Sequence, residues 1–222
     1  MRRRCRLENH ASMLECRLAI PLRRACSSTR PCSDCRHIMT ILLPDRFDTA
    51  RLAVRPVEER DLAALLAVNG DAQTVQFLPY AQWQTMDDAQ AWLARMRTLE
   101  GGGTARQYVI ATRDGDAAIG TVLLFRLEPA SARAELGYVL GRAHWGQGLA
   151  REALQGTCAA LFDSGLLRRL EAEVDPANAA SGALLRSLGF AHEGRLRQRW
   201  TAKGRTYDVD AFGLLAGELM RR

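Results

Sequence analysis

The chain has 222 residues, enough for one α/β domain with a real core and short for two. Its formal charge of +6 suggests a nucleic-acid binder only until it is divided along the chain: residues 1–38 carry nine arginines against Glu8, Glu15 and Asp34, which accounts for the whole excess, and the remainder is formally neutral. A nucleic-acid partner is therefore not expected, and no apolar run approaches the roughly 20 residues of a bilayer crossing, so no membrane span is expected either and the protein is placed in a reducing cytoplasm.

The leader, residues 1–38, also holds Cys5, Cys16, Cys26, Cys32 and Cys35, whereas the rest of the chain has only Cys158. It lacks the unbroken apolar stretch and small-residue cleavage site of a secretory signal. Cys32 and Cys35, with Cys26 and His37 nearby, have the side chains for zinc, but a second ligand pair at the usual spacing is missing. The leader is expected to be disordered, or to come from a misplaced upstream start, with Met39 as an ordinary beginning for a domain over 39–222.

Arg51 to Pro56 alternates like a half-buried strand, and Glu58 to Val68 switches to helical spacing through Leu62, Leu65 and Leu66. A second helix is predicted from about Asp87 to Leu99, with Trp92, Leu93 and Met96 on one side, ending in a loop at Gly101-Gly102-Gly103. Gln107–Ala111 and Ala117–Leu127 flank Asp114-Gly115 as an antiparallel hairpin, and Ala132–Leu140 follows as the third strand of a meander.

Directly after it comes Trp145-Gly146-Gln147-Gly148, then Leu149, Ala150, Ala153, Leu154, Thr157, Cys158, Leu161 and Phe162 on one helical face. Glycine permits a tight turn, and the first amides of a helix have no intrahelical acceptors, so this turn is a candidate anion cradle suited to a pyrophosphate. Arg169–Val174 alternates again, with Glu171 and Glu173 opposite Leu170, Ala172 and Val174. A helix from about Asn178 to Leu188 is closed by Gly189, and strands near Phe190–Arg199 and Tyr207–Leu214, joined at Lys203-Gly204, complete the body. This order predicts an α/β fold with a mixed, mostly antiparallel central sheet and helices on both faces.

Gly137-Tyr138-Val139-Leu140, Trp145-Gly-Gln-Gly148-Leu-Ala150, Asn178-Ala-Ala-Ser181 and Leu188-Gly189-Phe190, in that order, resemble the GNAT-fold N-acetyltransferases, in the branch of the Rim-type ribosomal-protein alanine acetyltransferases. The similarity covers about Thr49 to Glu218. It implies a GNAT-like acyl-CoA N-acyltransferase fold, with acetyl-CoA as co-substrate and no metal. The backbone of Tyr138, Val139 and Leu140 is implied to pair with the pantetheine arm, and the amides of Gly146, Gln147, Gly148, Leu149, Ala150 and Arg151 to hold the pyrophosphate. Arg151 has the alternative of a solvated first-turn arginine.

The implied activity is acetyl transfer to a primary amine, on a small molecule or a protein N-terminus such as that of a ribosomal protein, by direct attack in a ternary complex. Such chemistry needs a neutral amine, a polarised carbonyl and a proton for the departing thiolate. Glu173, five residues before Asn178, matches the catalytic glutamate of relatives that acetylate protein amino termini, with Glu135 as second choice for the base; the plain alternative is the wet face of a strand. Those relatives carry an acidic tyrosine where this chain has Leu185, which leaves Ser181 as the candidate acid, or as a helix-start hydrogen bonder. Asn178 is a helix cap or a pantetheine ligand. Tyr207 and Asp208 are candidates to orient the amine, against packing and surface roles.

Trp83, Trp92 and Trp200 read as core or cleft wall, Cys158 as a buried small hydrophobe, and His144 lacks a partner for catalysis or metal. A Rossmann-type dinucleotide-binding enzyme is a remote alternative, because Arg151 stands at the third glycine and no leading βαβ unit precedes the turn; a Walker loop is excluded by the lack of Gly-Lys-Ser/Thr. A non-catalytic acyl-CoA-binding module remains the alternative of a different class. Oligomeric state is expected to be monomer or homodimer.

Overall fold

Alternating apolar residues make the strands, and the computed structural model shows how they join; it describes residues 44–221. The arginine- and cysteine-rich leader, with the readings made of its disorder, its start site and its Cys32–Cys35 pair, lies outside those residues. The strands are β1 (Phe47–Asp48), β2 (Leu52–Pro56), β3 (Ala105–Thr112), β4 (Ala118–Glu128), β5 (Arg133–Leu140), β6 (Arg169–Val174), β7 (Ala191–Ala202) and β8 (Arg205–Leu215). They form one sheet in the order β1-β2-β3-β4-β5-β6-β8-β7. Every neighbouring pair is antiparallel except β5 with β6.

Helices cover both faces. On one, α3 (Leu149–Asp163) and α4 (Ala179–Leu188) turn Leu154, Cys158, Leu161, Leu185 and Leu188 onto Val122, Leu124, Leu136 and Leu170, all buried. On the other, α1 (Leu62–Asn69) and α2 (Met86–Gly101) set Leu62, Leu65, Trp92, Leu93 and Met96 with Trp83 against Val109. Each fully buried leucine contributes about 1.5–3 kcal/mol, so α3 is held to the sheet along its whole length.

Local chemistry fixes the ends. Asn178 caps α4 by accepting the Ser181 amide, and Gly189 closes it at φ +103. Thr85 and Asp88 form a capping box at the start of α2. The helix expected from Glu58 begins instead with a 3-10 turn, Glu59–Asp61, because the Asp61 carboxylate turns back to the Glu58 amide and to both ends of the buried Arg55 guanidinium, each contact at 2.8 Å. α2 continues through Gly101, where a loop was expected, and ends at Gly102.

Two irregularities position the site. β5 and β6 pair at only three residues, Arg133, Ala134 and Glu135 with Arg169, Leu170 and Glu171. Beyond them β5 pairs only with β4 and β6 only with β8, so the sheet parts into a slot. Across β5 from the three residues that still pair with β6, at the closed end of the slot, β4 carries one extra residue between Phe125 and Glu128, and Arg126 takes a left-handed φ of +49°. Such a bulge re-aims a side chain; here it sends Arg126 toward the slot.

Candidate active site

The cradle after β5 is built as its glycines require. Gly146 and Gly148 have φ of +72° and +74°, Gly148 caps α3, and the first helical amide bonded to a backbone acceptor is that of Glu152, to Gly148. The amides just before it are free in the manner of a helix start, where the dipole favours an anion. The Trp145 indole donates to the Leu140 carbonyl at 2.7 Å and the Gln147 side chain to Ala143, which stiffens the turn. Arg51 braces it from the residue before β2: its guanidinium reaches Glu152 at 2.7 Å and the Gln147 carbonyl at 3.1 Å, and Thr49 bonds the same carboxylate at 2.6 Å. Burial pushes the Glu152 pKa up, but Thr49 and Arg51 outweigh it and hold the group below the ordinary value. The Nε of Arg151 is buried without a hydrogen-bond partner among the described residues. Another nitrogen of the same guanidinium lies 3.4 Å from the Ser187 carbonyl of α4; the free helix amides at the glycine turn are what fit a diphosphate.

The slot between β5 and β6 opens into a cavity of about 380 Å³, lined on this side by Glu135–Val139, Ala172–Asp175, Asn178 and Ser181. Tyr138 alternates to the α3 side of β5, and its hydroxyl meets the Ser181 hydroxyl of α4 at 2.7 Å. Burial raises the Tyr138 phenol to about 12, against the pull of Ser181, so it keeps its proton at neutral pH. The pair forms a proton-bearing bridge between the two sides of the slot.

Glu135 and Glu173 point to the opposite face and into the same cavity. They are not equivalent. Glu173 receives Arg199 at 3.0 Å, the Trp200 indole at 2.5 Å and Arg126 at 3.4 Å. Burial raises its pKa, but these donors prevail and hold the carboxylate below the usual range. Glu135 is 4% exposed and has one charged partner, Arg126, at 2.5 Å. For it burial prevails over Arg126, with a further push from Glu173, and the pKa is raised. The two carboxylates are thus shifted in opposite directions, Glu173 downward by its donors and Glu135 upward by burial.

The remaining wall combines Phe77–Tyr80 from the α1–α2 connection, Trp92 and Met96 of α2, Phe125, Trp200 and Tyr207. Asp175, at the foot of the slot, caps the turn through the Ala177 amide and pairs with Arg205 at 2.6 Å.

The structure thus brings together Glu135, Tyr138, Val139, Glu173, Asn178, Ser181 and Tyr207 around one cavity. One expectation needs adjustment. Asp208 does not line it: adjacent to Tyr207 on β8, it faces the other way and accepts the Gln198 amide at 2.9 Å. The Leu140 carbonyl already accepts the Trp145 indole at 2.7 Å, which leaves one lone pair for any further partner. The Leu149 side chain is buried in the α3 core, as its place on the apolar face implied, and its backbone lies at the cradle. Arg126, Arg199 and the hydroxyl of Tyr138 went unrecognised in the sequence. Trp200 does more than pack, and its position three residues before the Lys203-Gly204 turn, beside the arginines of β7, was the available signal. Among the described residues no group of metal-ligating side chains is present, and no helix is long and apolar enough to cross a membrane.

Comparison with known proteins gives one family match: residues 51–191 fit the family described as acetyltransferase (GNAT) domain. The uncharacterised N-acetyltransferase p20 of Bacillus licheniformis is 36% identical over 170 residues, 77% of this chain and 96% of its own. The [ribosomal protein uS5]-alanine N-acetyltransferase of Escherichia coli is 30% identical over 67% of this chain and 79% of its own. Among solved structures, Mycobacterium smegmatis RimJ in complex with CoA-disulfide superposes with a TM-score of 0.69 at 26% identity, over 77% of this chain and 84% of that one.

Proposed function

Because this chain belongs to the GNAT acetyltransferase family and is an N-acetyltransferase that uses acetyl-CoA, we propose that it transfers the acetyl group to a primary amine by direct attack in a ternary complex. Protein N-termini are the first acceptors to consider, since the E. coli relative is named for the alanine of a ribosomal protein; small-molecule amines are the second.

Acetyl-CoA supplies an activated acyl thioester. In this reading the Gly146–Arg151 amides and Arg151 hold its diphosphate, the open edge of β5 at Tyr138 and Val139 lies along the pantetheine arm as an added strand would, and Asn178 and Ser181 face it from the other side. The amine enters from the α1–α2 face. Glu135 takes the proton that the ammonium must lose before nitrogen attacks the carbonyl carbon. Its raised pKa suits it to that task better than Glu173, whose lone pairs are engaged by three donors. As the carbon–sulfur bond breaks, Ser181 passes a proton to sulfur and is replenished by Tyr138; the attacking nitrogen sheds its second proton to solvent, Tyr138 regains one from solvent, and Glu135 releases its own, so one net proton leaves per turnover. Glu173 anchors Arg126, Arg199 and Trp200, so that the wall beside Glu135 stays in place.

The observation that carries this reading is the placement of a desolvated carboxyl and a hydroxyl pair on the two faces of one slot, which separates proton acceptor from proton donor. The test is amine-dependent release of free thiol from acetyl-CoA over a panel of amino-terminal peptides, polyamines and aminoglycosides. Turnover with at least one amine, lost on Glu135→Gln with acetyl-CoA binding intact, is expected. Tight binding of acetyl-CoA without amine-dependent thiol release would instead mark a non-catalytic acyl-CoA-binding module.

A further inference from the structure

The two walls that face each other across the acceptor cavity come from distant parts of the chain. Phe77, Leu78, Pro79 and Tyr80 belong to the α1–α2 connection, and Trp200 and Tyr207 to the β7–β8 hairpin. One side chain ties them. Lys203, at the hairpin tip, donates from Nζ to the Val75 carbonyl at 2.7 Å and lies 3.5 Å from that of Gln76. The other hydrogen bonds of residues 75–80 stay within the connection or go to Asn69 of α1.

Three features separate this contact from an ordinary surface lysine. Lys203 is the only lysine of the chain, every other cationic side chain of the Lys/Arg type being arginine. A compact ammonium can direct its donors at two neighbouring carbonyls, whereas the planar guanidinium fork matches carboxylates. The backbone is also unfavourable for it: Lys203 has φ +51° and Gly204 φ +71°, a two-residue hairpin turn in which asparagine, aspartate or glycine carries less strain. Burial, with Arg205 adding, pulls its pKa below the ordinary lysine value, as expected for an ammonium engaged against the protein.

We propose that Lys203 is a positioning residue for the acceptor: its clasp on Val75 and Gln76 holds Phe77–Tyr80 as the wall against which the amine is presented. The proposal rests on the acetyl-transfer reading above and specifies which contact sets acceptor affinity. It concerns acceptor binding alone, because the cradle and the Tyr138–Ser181 pair lie on other elements.

The test compares Lys203→Asn, Lys203→Ala and Lys203→Arg, using whichever amine of the panel turns over best. Asparagine suits the turn, so thermal stability should hold or rise. At the same time, loss of a charge-assisted contact should raise the acceptor KM by roughly tenfold or more, with the KM for acetyl-CoA unchanged. Lys203→Arg should recover part of the loss. Amide hydrogen exchange over residues 75–80, measured without any substrate, should quicken in Lys203→Asn. An acceptor KM and an exchange rate both equal to wild type overturn the proposal, as does an equal rise in both KM values. If wild type shows no amine-dependent turnover, the functional reading fails, while the exchange measurement still decides whether the clasp exists.

Discussion

Glutamine at position 135 and glutamine at position 173 should have opposite consequences, although both remove a carboxylate from the same cavity. Glu135 is buried with one charged partner, and its pKa is raised by desolvation. The folded state therefore favours its protonated form, and the unfavourable contribution of the ionised form, present above the folded pKa, is relieved as pH falls through it. Glu135→Gln keeps the shape and removes that cost, so the melting temperature should hold or rise. Loss of the proposed base should cut kcat by roughly 10²–10⁴-fold, and the wild-type acid limb of kcat/KM should lie above the ordinary glutamate range. Glu173 has the reverse linkage: its pKa is lowered, so it contributes stability above its unfolded value that is lost as pH falls through the folded one. Glu173→Gln leaves Arg199, Arg126 and the Trp200 indole without their shared anion. Breaking a buried pair costs about 3–5 kcal/mol, but Arg126 and Arg199 are each 44% exposed, so about 1.5–3 kcal/mol is the sounder estimate. For a domain of this size that is a fall of roughly 5–10 °C. Thermal unfolding and initial-rate assays on the two variants measure both quantities. A full loss of turnover in Glu173→Gln at unchanged melting temperature, with Glu135→Gln active, would refute this division of roles.

Other substitutions probe the remaining contacts. Tyr138→Phe removes the hydroxyl that meets Ser181; kcat should fall, and combining it with Ser181→Ala should cost much less than the two losses multiplied, since both act on one proton. Gly148→Val forces a β-branched residue to φ +74° within the cradle and should abolish acetyl-CoA binding by calorimetry. Arg51→Ala frees the Gln147 carbonyl and one oxygen of the Glu152 carboxylate, the other staying with Thr49, and should raise the KM for acetyl-CoA several-fold, with the acceptor KM unchanged. Leu161→Ala, on the sheet-facing side of α3 and fully buried, should cost about 2–5 kcal/mol in denaturant unfolding.

The sequence was readable wherever one physical rule dominates. β6 runs from Arg169 to Val174 as its alternation predicts, because Asp175-Pro176 ends it, and α3 follows its apolar stripe closely. The cradle was equally plain, since positive φ at Gly146 and Gly148 needs glycine. The slot was not, because the point at which β5 and β6 stop pairing depends on how the whole sheet twists and what packs beneath it. Nothing about an arginine announces a left-handed bulge, so Arg126 and its link between the two glutamates stayed hidden. Asp208 is a different case. Adjacent strand residues face opposite sides, so Tyr207 and Asp208 were never both able to face one cleft, and that alternation was visible from the start.

A crystal structure with bound CoA tests the central claim most directly. The account predicts the diphosphate on the amides of Gly146–Arg151, the pantetheine arm along β5 at Tyr138 and Val139, and the sulfur at the Ser181 hydroxyl on the side of the slot that opens to Glu135. A sulfur directed away from both Ser181 and Glu135, or a diphosphate bound outside the turn, would contradict it.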